Sequence, residues 1–333
     1  MNEDNSVAVI IPVYNAEKSI KECIDGLLSQ VVMPNQIILI NDGSTDNSLK
    51  VMKTFFSSSP LIEIYSQKNR GVSSARNLGL RHVHSKYVTF VDADDCVKKD
   101  HINNLLKGYG YPDVDLSISG ICYKGITNNT KYSEYNGGWY NSSEILHSLF
   151  YESGQKGYLW NKLWKMNIIS SHNLALQDNI SMAEDLLFLV KYLQYSNKVY
   201  VSNKPTYIYK MMENSLSSQI RLDNFDSRFI KTNNDFLYVC KEILNYIPLE
   251  DEKTMIDAQA FLGRTAANYL RQLQLYSKDD NLKLKKQVRE ICSQSKKDVI
   301  RTQTMTIKNK IGFFLTLYFP VLMRLLDKKR FEK

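Results

Sequence analysis

Four short apolar runs alternate with three stretches of helical spacing in the first ninety residues, and this alternation restricts the chain to few folds. The runs are residues 7–11, 36–40, 61–65 and 87–91. Residues 7–11 are a continuous β-branched run, as expected of a parallel strand buried on both faces, and the other three also read as strands. Between them, residues 17–30 place Ile20, Ile24, Leu27 and Leu28 on one helical face. Residues 47–56 predict a second helix, capped by Ser44 or Thr45. Residues 71–83, opened by Gly71, place Val72, Ala75, Gly79 and Val83 on one face of a third. Strand and helix in strict alternation predict an α/β fold with a doubly wound sheet. In such sheets ligands bind beyond the carboxyl ends of the strands.

The residues that follow the strands are polar. Pro12-Val13-Tyr14-Asn15 follows the first run and Asn41-Asp42-Gly43-Ser44 follows the second. The fourth run leads into Asp92-Ala93-Asp94-Asp95, three carboxylates in four positions. Carboxylates this close repel one another, and the usual compensation is a divalent cation, which favours hard oxygen ligands and is often completed by phosphate. The plainer alternative is an acidic turn in which Asp94 or Asp95 caps a helix.

After residue 113 the pattern changes. Residues 114–123 and 131–135 predict strands of a mixed sheet, and 141–150 a helix capped by Asn141 or Ser142. Residues 160–165, Trp-Asn-Lys-Leu-Trp-Lys, form an aromatic and basic segment. Residues 181–195 predict an amphipathic helix with Met182, Leu186, Leu189, Val190 and Leu193 inward. Ser181 and Glu184 have the spacing of a capping box. Residues 199–201 and 206–209 predict two short strands, and from about 223 the chain reads as helical. The polar stretch 214–219 suggests two domains, 1–218 and 219–333.

The chain has 333 residues and a net charge of +8, with 43% hydrophobic and 23% charged residues, the composition of a soluble globular protein. The positive balance suits an anionic partner and leaves nucleic acid, nucleotide phosphate and membrane surface open. Cys23, Cys96, Cys122, Cys240 and Cys292 are scattered without a Cys-x-x-Cys pair. That spacing argues against a disulfide framework or a zinc site and suits a reducing cytosol. The polar N-terminus does not read as a signal peptide, and no uncharged apolar stretch of roughly 18 residues predicts a membrane span.

Four motifs occur in a characteristic order: Pro12-Val13-Tyr14-Asn15, Asn41-Asp42-Gly43-Ser44-Thr45-Asp46, Asn69-Arg70-Gly71-Val72-Ser73-Ser74-Ala75-Arg76-Asn77, and Asp92-Ala93-Asp94-Asp95. Together they resemble the inverting family 2 glycosyltransferases of the GT-A fold, many of which build bacterial capsule or O-antigen polysaccharide. The resemblance covers roughly residues 6–215. It implies a Rossmann-like nucleotide-sugar-binding domain with a C-terminal helical extension. It also implies a UDP-sugar donor, a saccharide acceptor and Mg2+ or Mn2+ as cofactor. On this resemblance Pro12, Val13 and Tyr14 lie against the base, and Asp42 accepts from the uracil imide. Asn69 and Ala93 fall on the donor side, Arg76 supports the nucleotide or the nearby carboxylates, Asp92 meets the ribose, and Asp94 holds the metal. Asp185 is the general base, kept ionised by its helix N-terminus. Trp160, Lys162, Glu184 and Lys210 fall on the acceptor or diphosphate side, the equal alternatives being core packing for Trp160 and a solvated surface charge for Lys162. Tyr207, Tyr209 and residues 215–217 resemble a segment that closes over the diphosphate.

Two rival readings are a sugar-nucleotide pyrophosphorylase and a non-catalytic nucleotide- or sugar-binding module. The first needs a Gly-rich basic loop after the first strand, and residues 12–15 offer none. The intact Asp92, Asp94 and Asp185 argue against the second. A nucleic-acid partner conflicts with the acidic cluster at the predicted site. Residues 311–323 are uncharged and rich in Phe and Leu, broken by Pro320 and bracketed by Lys and Arg. They predict attachment to an anionic membrane surface from the cytoplasmic side, which suits a lipid-linked acceptor. The alternative is packing on the catalytic domain or on a second subunit, as in a homodimer through the C-terminal helices.

Overall fold

The computed structural model of the chain describes residues 5–125, 129–151, 153–211, 227–276 and 281–331, the last four of these by backbone alone. The chain forms two compact units. The first comprises Met1–Ile145, Lys156–Asn179 and Glu184–Ser215; the second comprises Leu146–Gln155, Ile180–Ala183 and Leu216–Lys333. The stretch 214–219, where the sequence suggests the boundary, lies outside the described residues.

The first unit is built on one mixed sheet. Its first half follows the predicted alternation: β1 (Val7–Val13), α1 (Ile20–Leu28), β2 (Gln36–Asp42), α2 (Ser48–Phe56), β3 (Ile62–Gln67), α3 (Val72–Leu80) and β4 (Tyr87–Phe90). β2 and β4 flank β1 in parallel, and β3 continues the sheet beyond β2. β1, β2 and β4 are almost wholly buried, which is why they read as unbroken apolar runs. Register pairs Val13 with Asn41, Asp42 with Gln67, and Ile10 with Phe90. The three polar clusters therefore do leave the sheet along one edge.

The second half departs from the sequence reading in three places. The aromatic and basic segment 160–165 contains a strand that the sequence pattern does not announce: β9 (Lys162–Lys165) inserts antiparallel between β4 and β6 (Val114–Lys124). The two short strands expected after 198 are one strand, β10 (Lys198–Lys210), whose register with β6 shifts near Pro205. β10 also pairs antiparallel with β5 (Cys96–Val97), a two-residue strand too short to show in the sequence. The remaining elements are α4 (His101–Leu106), the edge strands β7 (Thr130–Tyr132) and β8 (Gly138–Asn141), α5 (Ser142–Ser148), α6 (Met166–Ser171) and α7 (Glu184–Leu193).

The second unit is helical, as expected. It contains α8 (Ser227–Leu244), α9 (Glu252–Tyr276), α10 (Leu282–Gln294), α11 (Lys296–Arg301), α12 (Ile307–Tyr318) and α13 (Pro320–Phe331). α9 is the hub, packed by α8 and by each of the helices that follow it. Its buried face carries the small residues Ala260, Ala266 and Ala267, which admit close neighbours, together with Tyr269, Leu270 and Leu273, which fill the core. Within this unit Asp257 accepts from Thr302 and pairs with His147 Nε2 at 2.6 Å.

Candidate active site

The edge formed by the carboxyl ends of β1, β2 and β3 is stitched through its backbone. Thr45 N–H donates to Asn15 Oδ1 at 2.8 Å, and Asn15 N–H to Ser44 Oγ at 3.2 Å. Asn15 itself is left-handed, with φ 50°. Gly43 has φ 68°, and a Cβ there would lie 2.6 Å from Asn69 N, so only glycine fits this turn. Asp42 is buried. Its Oδ1 accepts from Gln67 Nε2 at 2.8 Å and Arg70 N–H at 2.9 Å, and its Oδ2 from Gly71 N–H at 2.9 Å. One lone pair of Oδ2 remains for a ligand donor. Pro12 is half-buried, Val13 buried, and Tyr14 and Asn69 are exposed on this edge.

The acidic run forms a turn between β4 and β5, closed by Asp95 N–H donating to Asp92 O at 3.0 Å. Asp95 caps no helix. It is 1% exposed, and its Oδ2 accepts from the Tyr207 hydroxyl at 2.8 Å while its Oδ1 accepts from Lys210 N–H at 2.8 Å. The Tyr207 hydroxyl in turn accepts from Asp92 N–H at 3.2 Å. Burial, with Asp92 adding, pushes the Asp95 carboxyl up to about 8. Burial and Asp92 also raise Asp94, which has no side-chain donor among the described residues. Lys210 Nζ pairs with Glu22 Oε2 at 2.8 Å. Ala93 is buried inside the turn.

Arg76 joins this turn to the start of α7. Its guanidinium is buried and reaches Asp92 Oδ1 at 2.8 Å and Glu184 Oε1 at 3.4 Å. Its buried Nε has no hydrogen-bond partner. The predicted capping box is absent. α7 begins at Glu184 after a left-handed Ala183 with φ 64°, and the Ser181 N–H and hydroxyl both donate to Asp235 instead. Glu184 is therefore free for Arg76. Burial, with Asp185 adding and Arg76 opposing, pushes Glu184 up to about 7. Asp185 accepts from Leu186 N–H at 2.7 Å. Its pKa is raised, not held down as the helix N-terminus predicts: burial outweighs Arg76, the Leu186 N–H and Lys162.

Two residues with an expected acceptor-side role, Trp160 and Lys162, are buried. Lys162 does not face a phosphate. It is fully buried, and Nζ donates to Lys156 O at 2.9 Å, Tyr158 O at 2.6 Å and Asn161 Oδ1 at 2.9 Å, which uses all three of its hydrogens. Burial pulls its pKa down to about 7, with Asp185 opposing. Trp160 is 5% exposed and sits inside an aromatic stack, 4.6 Å from Tyr158 and 4.2 Å from Tyr207 between ring centroids. Tyr158 and Tyr209, which stacks on Trp160 at 5.6 Å, are the half-buried members of this stack. The loop that carries Tyr158 is close to α7, since a Cβ on Gly157 would lie 2.7 Å from Leu186 Cα. Residues 215–217 lie outside the described residues.

The sequence reading missed Gln67, Glu22 and Tyr158. Gln67 is legible in principle, because it ends β3 in register with Asp42. Glu22 and Tyr158 carry no local signal. Among the described residues no three His, Cys, Asp or Glu side chains are placed to hold a metal by themselves. The arrangement fits a cation held by one or two carboxylates, Asp94 first, and completed by oxygens of a ligand.

A parallel-led α/β sheet with this acidic turn beyond its fourth strand has the architecture of the GT-A fold. Residues 8–172 match the sequence model of Glycosyl transferase family 2. GlyA of Streptococcus pneumoniae serotype 4, a glycosyltransferase, is 30% identical over 227 residues, 64% of this chain and 32% of that protein. The uncharacterised glycosyltransferase EpsJ of Bacillus subtilis is 30% identical over 218 residues, 63% of this chain and 62% of that protein. The chain thus spans less than two thirds of either relative. S. aureus TarS 1–349 in complex with UDP superposes with a TM-score of 0.68 at 17% identity, over 98% of this chain and 92% of that one. Residues 8–172 thus form a glycosyl transferase family 2 domain, and the superposition with TarS extends over the helical region after β10.

Proposed function

We propose that the protein transfers a hexose or N-acetylhexosamine from a UDP-sugar to a saccharide acceptor, with inversion, in bacterial surface polysaccharide synthesis. The observation that carries this reading is the Arg76 bridge. One buried guanidinium ties the acidic turn to the start of α7, and so brings Asp92 and Glu184 together with Asp185 beside them. A turn that suits a diphosphate and a carboxylate that suits a base are then parts of one site. The family membership and the UDP bound in the TarS structure support the donor class.

In this reading Pro12, Val13 and Tyr14 receive the base, and the free lone pair of Asp42 accepts from it. Asn69 closes the same edge, and Asp92 and Ala93 meet the ribose. Asp94 holds Mg2+ or Mn2+. When bound, that cation offsets the negative charge gathering on the departing diphosphate. Asp185 takes the proton of the attacking hydroxyl, and its raised pKa makes it a stronger base than an exposed aspartate. Arg76 keeps Asp92 and Glu184 paired and limits the repulsion that Asp185 meets. With Glu184 held by Arg76, Asp185 is the single base, and a direct displacement inverts the anomeric centre. The acceptor is lipid-linked, presented at the cytoplasmic face of the membrane.

The test is a screen of purified protein against UDP- and GDP-sugars, read as nucleotide release with and without Mn2+. Release from one or more UDP-sugars that depends on Mn2+ supports the reading. Binding without release from any donor, acceptor saccharides included, favours the non-catalytic module.

A further inference from the structure

We propose that α12 and α13 form a platform that seats the protein on an anionic lipid surface. A helix of a globular unit needs one apolar stripe, facing the core. These two helices carry a second. On α12, Phe313 and Leu317 enter the core of the helical unit. Ile307, 78% exposed, and Ile311 and Tyr318 recur at helical spacing on the other side, with Phe314 and Leu315 half-buried between them. On α13, Met323 is buried, and Asp327 turns inward to pair with Arg271 at 2.9 Å. Val321, 73% exposed, and Leu322, Leu325 and Leu326 line its outer side. Phe319, in the one-residue break before Pro320, is exposed between the two helices. The apolar segment expected from the sequence is thus divided, with Phe313, Leu317 and Met323 withdrawn from any membrane.

Charge decides what covers this face. Between residues 307 and 331 the only acid is Asp327, which is buried and paired with Arg271. Lys308 and Arg324 are exposed among the apolar side chains, and the sequence continues with Lys328-Lys329-Arg330. A second copy meeting this face by two-fold symmetry would bring cations against cations, with no unpaired acid among the described residues of α12 and α13 to meet them. Anionic headgroups supply the missing charge, and apolar side chains rimmed by cations are the composition of a helix lying in the interface. Neither helix is long and apolar enough to cross a bilayer. The surface stands on the exposure pattern and not on the sugar-transfer reading, so either can fail alone.

The experiment is flotation of the full chain with vesicles of phosphatidylcholine, with and without phosphatidylglycerol. The variants are Val321→Ser/Leu325→Ser and Arg324→Glu, all at exposed positions, with folding checked by circular dichroism. The wild type should float with the anionic vesicles only, and lose recovery in about 0.5 M salt. The apolar double variant should lose roughly tenfold in partitioning, and Arg324→Glu should weaken it while keeping the fold. Equal flotation of wild type and double variant overturns the proposal. So does failure of the wild type to float, and a concentration-dependent dimer abolished by the double variant would then assign the face to a second copy.

Discussion

The Tyr207 hydroxyl donates to Asp95 Oδ2 at 2.8 Å although 112 positions separate the two residues. Both are buried, and the same hydroxyl accepts from the Asp92 N–H. The tip of β10 therefore sets the shape of the acidic turn after β4. His101 packs edge-on to the Tyr207 ring and holds it from behind. Asp95 supports the turn from below, and in the proposed reading leaves Asp94 for the metal.

Tyr207→Phe removes that hydroxyl and keeps the ring in its stack with Trp160. The Mn2+ concentration giving half-maximal turnover should rise about tenfold, the usual scale for losing a hydrogen bond behind a metal ligand. Stability should fall by only about 1–2 kcal/mol. A metal titration with an unchanged midpoint would show that the tyrosine does not govern the turn.

Lys162→Met should destabilise the first unit by about 2–4 kcal/mol, because the buried Asn161 Oδ1 and two part-buried carbonyls lose their donor together. The loop 156–161 should become protease-sensitive. Denaturant titration and limited proteolysis check this. If stability were kept and only the acceptor KM rose, Lys162 would be a ligand contact after all.

Glu184 gives a pH dependence of definite sign. Its folded pKa of about 7 lies above the ordinary 4.5, so the folded chain holds this proton more tightly than the unfolded one. Its contribution is full below about 4.5 and is lost as pH rises through about 7. Glu184→Gln cannot titrate. Melting curves from pH 4.5 to 8 should therefore show the variant gaining on the wild type by a few degrees as pH rises, at about 2–4 °C per kcal/mol. Parallel curves for the two proteins would remove Glu184 from the coupled cluster.

The first half of the fold was legible because buried parallel strands leave continuous apolar runs, as at Ile37–Ile40, and their ends put polar residues on one edge. The acidic turn was legible for the same reason. The contact of Tyr207 with Asp95 was not, because it depends on the register shifts of β10, which no local pattern records. Lys162 reads as a surface charge, since nothing beside it reveals that its amine will be enclosed by the carbonyls of its own loop. Ser181 has the spacing of a capping box, but a partner 54 positions away, Asp235, takes its hydroxyl. In the C-terminal segment Pro320 marks the break between helices, whereas the division of its apolar residues between core and surface follows from packing on α9.

The central claim is that Asp185 removes the acceptor proton beside a diphosphate site it does not help to form. The most direct measurement is kcat for Asp185→Asn together with the Kd for UDP in the presence of Mn2+. The amide keeps the acceptor oxygen for the Leu186 N–H but cannot take a proton. The account predicts a fall in kcat on the order of 10²–10⁴, with the Kd for UDP within about threefold of wild type. A kcat close to wild type, or a loss of UDP binding as large as the loss of turnover, would contradict it.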